Sequence, residues 1–237
     1  MGFKARASTA GGLFTGDTLQ FLADLEQNND RDWFVANKHR YETHVREPAR
    51  ELIRRLAPHV AEKVSPHFAP SDKKQGGSLM RIHRDVRFSR DKSPYKTNIG
   101  IHIRQAGGVD VHGPGLYVHI DLDECFIGVG SWRPDRDSLS QIRRRIADEP
   151  EEWKAARDDE EFRSYFQLRG DALERIPRGY DDDHPCAEDL KRKDHLAIAE
   201  LSIDDVMGGG LVDYCVERFV AARPYIAFLT RAVNSPF

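Results

Sequence analysis

Residues 115–132 read GLYVHIDLDECFIGVGSW, and this stretch decides the fold. Leu116, Val118, Ile120 and Leu122 alternate with Tyr117, His119 and Asp121, the period of two that marks a strand with one buried face. Residues 125–132 follow so closely that they must return as the antiparallel partner of a hairpin, with Asp123 in its turn. Centring the turn on Leu122 and Asp123 or on Asp123 and Glu124 leaves the pairing parity unchanged. Tyr117 and His119 therefore share a face with Phe126, Gly128, Gly130 and Trp132. A face with glycines where side chains would stand admits a ligand or a closely packed helix. The first alternative makes it a pocket floor flanked by Tyr117, His119 and Trp132.

Upstream, Ile99, Ile101 and Ile103 alternate with Gly100, His102 and Arg104, which predicts a further strand. Before it, residues 81–97 read RIHRDVRFSRDKSPYKT and place Arg81, Arg84, Arg87, Arg90, Lys92 and Lys96 among only two aspartates. Guanidinium groups stay charged at any working pH and grip phosphate or carboxylate bidentately, so this density asks for anionic partners. Arginines every three residues suit neither a strand face nor a long helix face, and Pro94 excludes a helix through its position. A strand near residues 79–83 running into an extended loop is expected, with Asp85 and Asp91 orienting the arginines. Three readings follow: a phosphate or carboxylate site, a salt-bridge knot, or a nucleic-acid backbone contact.

Helical patterns flank this middle block. Phe21, Leu22 and Leu25 recur at helix spacing, Asp30 precedes RDWF as an N-cap, and Phe34, Tyr41 and Val45 fall along one face. A third helix starts near Pro48 and carries Leu52, Ile53, Leu56 and Val60 inward, until the prolines at 66 and 70 break the period. After the sheet, SLSQ at 138–141 resembles a capping box before Ile142 and Ile146, and Pro150 opens a helix containing Trp153. The last helix follows glycines 208–210, runs through Cys215 and Phe219, and kinks or breaks near Pro224. The run DDDH at 181–184 reads as N-capping rather than as a metal site, and residues 169–185 as an ordered loop. Trp33 is expected to be core packing.

With 237 residues, 39% of them hydrophobic, the chain suits one large domain. Its net charge of -3 argues against coating a polyanion. Yet from Lys73 to Arg104 nine Lys and Arg face two Asp, a local excess of about +7 that can focus a field on one cleft. Cys125, Cys186 and Cys215 are isolated, which fits a reducing compartment. No signal-peptide core or apolar run of eighteen residues occurs, so a soluble cytoplasmic protein with a disordered first dozen residues is expected. The GxGxxG, GxxxxGK[ST], HExxH and GxSxG signatures are absent, which leaves dinucleotide, P-loop, zincin and serine-hydrolase chemistry unsupported.

Four separated motifs occur in order: Asn28-Asn29 with Arg31, Trp33 and Phe34; the run at 81–97 with Gly100; GLYVHI with Gly128, Gly130, Trp132 and Pro134; and PRGYDDDHP followed by DLKRKD. Together they resemble the bacterial and fungal family catalogued as domain of unknown function 2461, over about Leu13 to Phe237. Arg90 stands where that family has lysine, and Leu122-Asp123 where it has a Pro-Gly turn. The resemblance implies a single-domain cytosolic protein and supplies no activity, cofactor or catalytic residue.

The expectation is an α+β domain over residues 13–237, an antiparallel hairpin-based sheet flanked by N- and C-terminal helices. Arg81, Arg84, Arg87, Lys92, Tyr95, Lys96, Tyr117 and Trp132 are the candidate ligand-binding residues for a small phosphorylated or carboxylated ligand. His119 and His102 are the candidate acid–base residues. No metal, cofactor or membrane is expected. Nucleic acid is the second partner reading, and a structural or protein-interaction role with an internal ion-pair network the third.

Overall fold

The computed structural model describes residues 11–87, 89–106 and 112–237; most of the segment read as a disordered N-terminus, residues 1–10, lies outside them. In chain order the elements are α1 (Gly16–Gln27), α2 (Arg31–Ala36), α3 (Lys38–Tyr41), α4 (Glu47–His59), β1 (Ile99–Ile103), β2 (Gly115–Ile120) and β3 (Cys125–Ser131). They continue with α5 (Arg136–Asp148), α6 (Pro150–Arg157), α7 (Glu160–Tyr165), β4 (Gln167–Arg169), α8 (Ala187–Lys191), β5 (His195–Leu201), α9 (Ile203–Met207), α10 (Leu211–Ala221) and α11 (Arg223–Ala232). The protein is α+β, with one open antiparallel sheet in the order β1-β2-β3-β5-β4.

The hairpin forms in the register its alternation dictates. Tyr117 stands opposite Gly128, His119 opposite Phe126, and Ile120 opposite Cys125. The Asp121 amide donates to the Glu124 carbonyl at 3.1 Å, which centres the turn on Leu122 and Asp123. Leu116, Val118, Ile120, Ile127 and Val129 point to the helices and are fully buried, as are Ile101 and Ile103 on β1. They join Phe21, Leu25, Leu52, Ile53, Phe219 and Phe228 in one continuous apolar cluster. Complete burial of each such side chain contributes roughly 1.5–3 kcal/mol.

Local signals set the helix ends. Asp30 caps α2 by accepting from the Trp33 amide at 2.9 Å. Pro48 stands in the first turn of α4, while the helix begun at α3 reaches α4 through a wider π turn at Glu42–Arg46. The cap of α5 is Asp135, accepting from the Ser138 amide at 2.8 Å, so this helix starts before the SLSQ expected to open it. A carboxylate that reaches the first free amide satisfies a donor the helix leaves unpaired. The Asp181–His184 run does not cap a helix; α8 begins only at Ala187, with Cys186 at its N-cap. Pro224 stands in the first turn of α11, which separates it from α10. Trp33 packs partly buried against the core, with its ring 5.8 Å from that of Phe21.

Two strands lie where the sequence suggested a loop or nothing. β5 pairs along its whole length with β3, and short β4 adds to its far edge. At the other edge Leu79 bridges Ile101 and His83 bridges Tyr95, so residues 79–83 extend the sheet and turn back on residues 94–97. The arginine-rich segment is therefore the tip of an edge hairpin.

Candidate functional site: a basic cleft and a polar sheet face

The hairpin tip uses its own carboxylates. Arg84 pairs with Asp91, and Arg87 with Asp85 at 2.6 Å. Asp85 is held down at about 2 by the Arg87 guanidinium and amide, and Asp91 at about 2 by Ser93 and then Arg84. Lys92 donates to the Val86 carbonyl at 2.9 Å. Tyr95 is a core residue, 4% exposed and stacked on Phe34 at 4.1 Å, with its backbone held by both ends of the Asn29 amide at 3.0 Å. These residues were grouped as one anion site from the sequence, and the structure does not bring them to one cavity.

Arg81 lies elsewhere. It lines a cleft of about 240 Å³ between the α2–α4 helical run and the edge strand, with Lys38, Tyr41, Glu42, Arg46, Arg50, Lys73 and Lys74. The loop carrying the two lysines is tied to α4: Arg54 meets Asp72 at 3.0 Å, and Arg50 donates to the Asp72 carbonyl at 3.0 Å. Ser71 and Ser78 close the loop, the Ser78 amide donating to the Ser71 carbonyl at 2.7 Å. Arg46 grips both oxygens of Glu42 at 2.9 and 3.0 Å, so the lining carboxylate is already neutralised. Lys38, Lys73, Lys74 and Arg81 form no ion pair among the described residues. Burial pushes the Tyr41 hydroxyl up to about 12, which keeps it protonated at neutral pH.

Lys96 sits close to Arg81. Burial first, and then the Arg81 charge, lower its pKa from the usual ammonium range. Two cations thus stand near each other, and Lys96 also lacks an ion-pair partner among the described residues. An anion between them would relieve the repulsion.

The face opposite the core carries a second polar arrangement. Tyr117 Oη and Asn98 Nδ2 lie 3.1 and 3.4 Å from His119 Nδ1, while His119 Nε2 faces Asp121 Oδ2 at 3.8 Å. An amide N–H and a phenol O–H donate, so Nδ1 is the acceptor and the ring proton sits on Nε2, toward Asp121. The ring stacks on Phe126 at 4.7 Å. Burial lowers the His119 pKa, opposed by Asp121 and Glu124, and raises Tyr117 to about 12, so both are neutral at pH 7.

The glycines of this face make room for neighbouring groups. A Cβ on Gly100 would come within 2.6 Å of the Tyr117 hydroxyl, and one on Gly115 within 2.4 Å of His102 Nε2. Of the two glycines that the sequence reading placed on a pocket floor, a Cβ on Gly130 would fall 2.0 Å from the His195 carbonyl oxygen, and one on Gly128 would meet Tyr117 and Phe126 at 3.5 and 3.6 Å. Trp132 stands apart past the end of β3, 52% exposed, with the Arg133 guanidinium 4.7 Å over its ring. None of Tyr117, His119, His102 and Trp132 lines the basic cleft; Met80 touches both places, lining the cleft with its Sδ beside Gly100.

Sequence reasoning found Arg81 and missed Lys38, Arg46 and Arg50. Lys73 and Lys74 fell inside the locally basic window but carried no motif. Among the described residues no helix is long and apolar enough to cross a membrane. No curated protein and no solved structure matches this chain. The model of one family, described as "Conserved hypothetical protein (DUF2461)", matches residues 17–228, across the N-terminal helices, the whole sheet and most of the C-terminal helices. The chain belongs to that family.

Proposed function

We propose that the basic cleft binds a small phosphorylated or carboxylated ligand. The observation that supports this is the set of four cations, Lys38, Lys73, Lys74 and Arg81, gathered round one cleft whose carboxylate is already paired with Arg46. Like charges brought together without compensation raise the energy of the empty protein, and an anion lowers it. Inorganic phosphate titrated against chloride at fixed ionic strength tests the reading. Phosphate at about a hundred times its dissociation constant adds roughly 2.7 kcal/mol to unfolding stability. The expected result is a rise in melting temperature with phosphate that is lost in Arg81→Gln. The same rise in both proteins, or none in the wild type, refutes it.

A second reading concerns the hairpin tip alone. Arg84 with Asp91 and Arg87 with Asp85 support a structural role for those residues, as in an internal ion-pair network. Such solvent-exposed pairs are screened by water and contribute little to stability, so they order the tip without dominating the fold.

A further inference from the structure

We infer that the ligand of this cleft is a compact, multiply charged phosphate chain, not a monoanion and not a nucleotide recognised through its base; this rests on the anion-binding reading above. The charge balance is the first ground. Six cationic side chains line the cleft; Arg46 is answered by Glu42 and Arg50 by Glu47 and Asp72, which leaves Lys38, Lys73, Lys74 and Arg81, an excess of four positive charges, round a volume of about 240 Å³. One carboxylate would leave most of that excess unanswered and a phosphate monoester about half of it, whereas a di- or triphosphate chain brings charge in proportion.

The lining side chains supply the second ground. Lysines are point charges on flexible stems and meet any phosphate oxygen along a chain, while the planar fork of Arg81 favours one bidentate contact. Such a set counts charges and reads little shape. Base recognition needs a free aromatic face. Phe34 and Tyr41 are 7% and 9% exposed, and their rings already pack together at 5.4 Å, with Phe34 also stacked on Tyr95. Phe34 and Tyr41 therefore offer no stacking face, and the one exposed ring of the cleft, His83, already leans on Tyr95 at 5.1 Å. The cleft volume is below the range of about 300–1,000 Å³ usual for drug-sized ligands, which again favours a compact anion.

The test is calorimetric titration of the wild-type chain with inorganic phosphate, diphosphate, triphosphate and AMP, at constant ionic strength and with a chelator present. Each added negative charge should tighten binding about five- to tenfold, the yield of one further charge pair at contact in water. AMP should bind no more tightly than phosphate. In Lys73→Gln/Lys74→Gln the gain from phosphate to triphosphate should fall at least tenfold. The melting temperature without ligand should be at or above that of wild type, because neither lysine has an ion-pair partner to lose and their removal relieves repulsion. Equal affinity for phosphate and triphosphate, or AMP tighter than phosphate, overturns the polyphosphate inference and leaves the anion site standing. No binding of any of the four overturns the anion site itself.

Discussion

Lowering the pH should expose a buried histidine as the acid-labile point of the core. His195 opens β5, is fully buried, and has no hydrogen-bond partner on either ring nitrogen among the described residues. Trp153 lies edge-on at 5.7 Å, and Arg192 and Arg143 add positive charge nearby. Burial first, then these two arginines, lower its pKa from 6.5 to about 3. The folded value is depressed, so the folded state favours the neutral ring. Above pH 6.5 both states are neutral and nothing is lost. Between pH 6.5 and 3 the unfolded chain takes up a proton that the folded chain refuses, and stability falls by about 1.4 kcal/mol per pH unit. From pH 6 to pH 4.5 that amounts to about 2 kcal/mol. Urea unfolding of wild type and of His195→Leu at both pH values isolates this group, because carboxylate titrations are common to the two proteins. The wild type should lose about 2 kcal/mol more than the variant. At pH 7 the variant should stay within about 1.5 kcal/mol of wild type, since an apolar side chain of similar size removes two unpaired polar atoms. Parallel losses in the two proteins would refute a neutral, desolvated His195.

Three further outcomes are expected. Gly130→Ala should cost about 3 kcal/mol or more and lower the yield of folded protein, because φ is +117° and a Cβ would fall 2.0 Å from the His195 carbonyl oxygen; Gly128→Ala, whose nearest contact would be 3.5 Å, should cost under about 1 kcal/mol by thermal unfolding. Asp121→Asn should lower the His119 pKa further, since that carboxylate, 3.8 Å from Nε2, favours the charged ring, and a rise in an NMR titration would contradict the placement. Arg84→Ala should leave phosphate-induced stabilisation unchanged and cost no more than about 1 kcal/mol, because Arg84 spends its charge on Asp91 outside the cleft.

The hairpin of β2 and β3, the N-cap at Asp30 and the start of α4 near Pro48 were legible in the sequence because each rests on neighbours along the chain. Alternation fixes which residues share a face, a carboxylate reaches an amide three positions on, and proline fits most readily in a first helical turn. β5 escaped notice because His195–Leu201 reads HLAIAEL. Its inward positions after His195 are two alanines and Leu201, too small a signal to stand out, and its partner β3 lies more than sixty residues away in sequence. Propensity speaks weakly there, and burial against the helices makes the strand. The candidate site divides in the same way. Sequence showed that cations are dense between Lys73 and Arg104, but density does not state direction. Asp85 and Asp91 draw Arg87 and Arg84 into local pairs, while Arg50 and Arg54 draw Asp72 onto α4 and so carry Lys73 and Lys74 to Arg81 and Lys38. The type and number of the charges belong to the sequence. Which of them meet depends on which carboxylate each one reaches in space, and only the tertiary structure decides that, because Coulomb attraction follows distance through space and takes no account of separation along the chain.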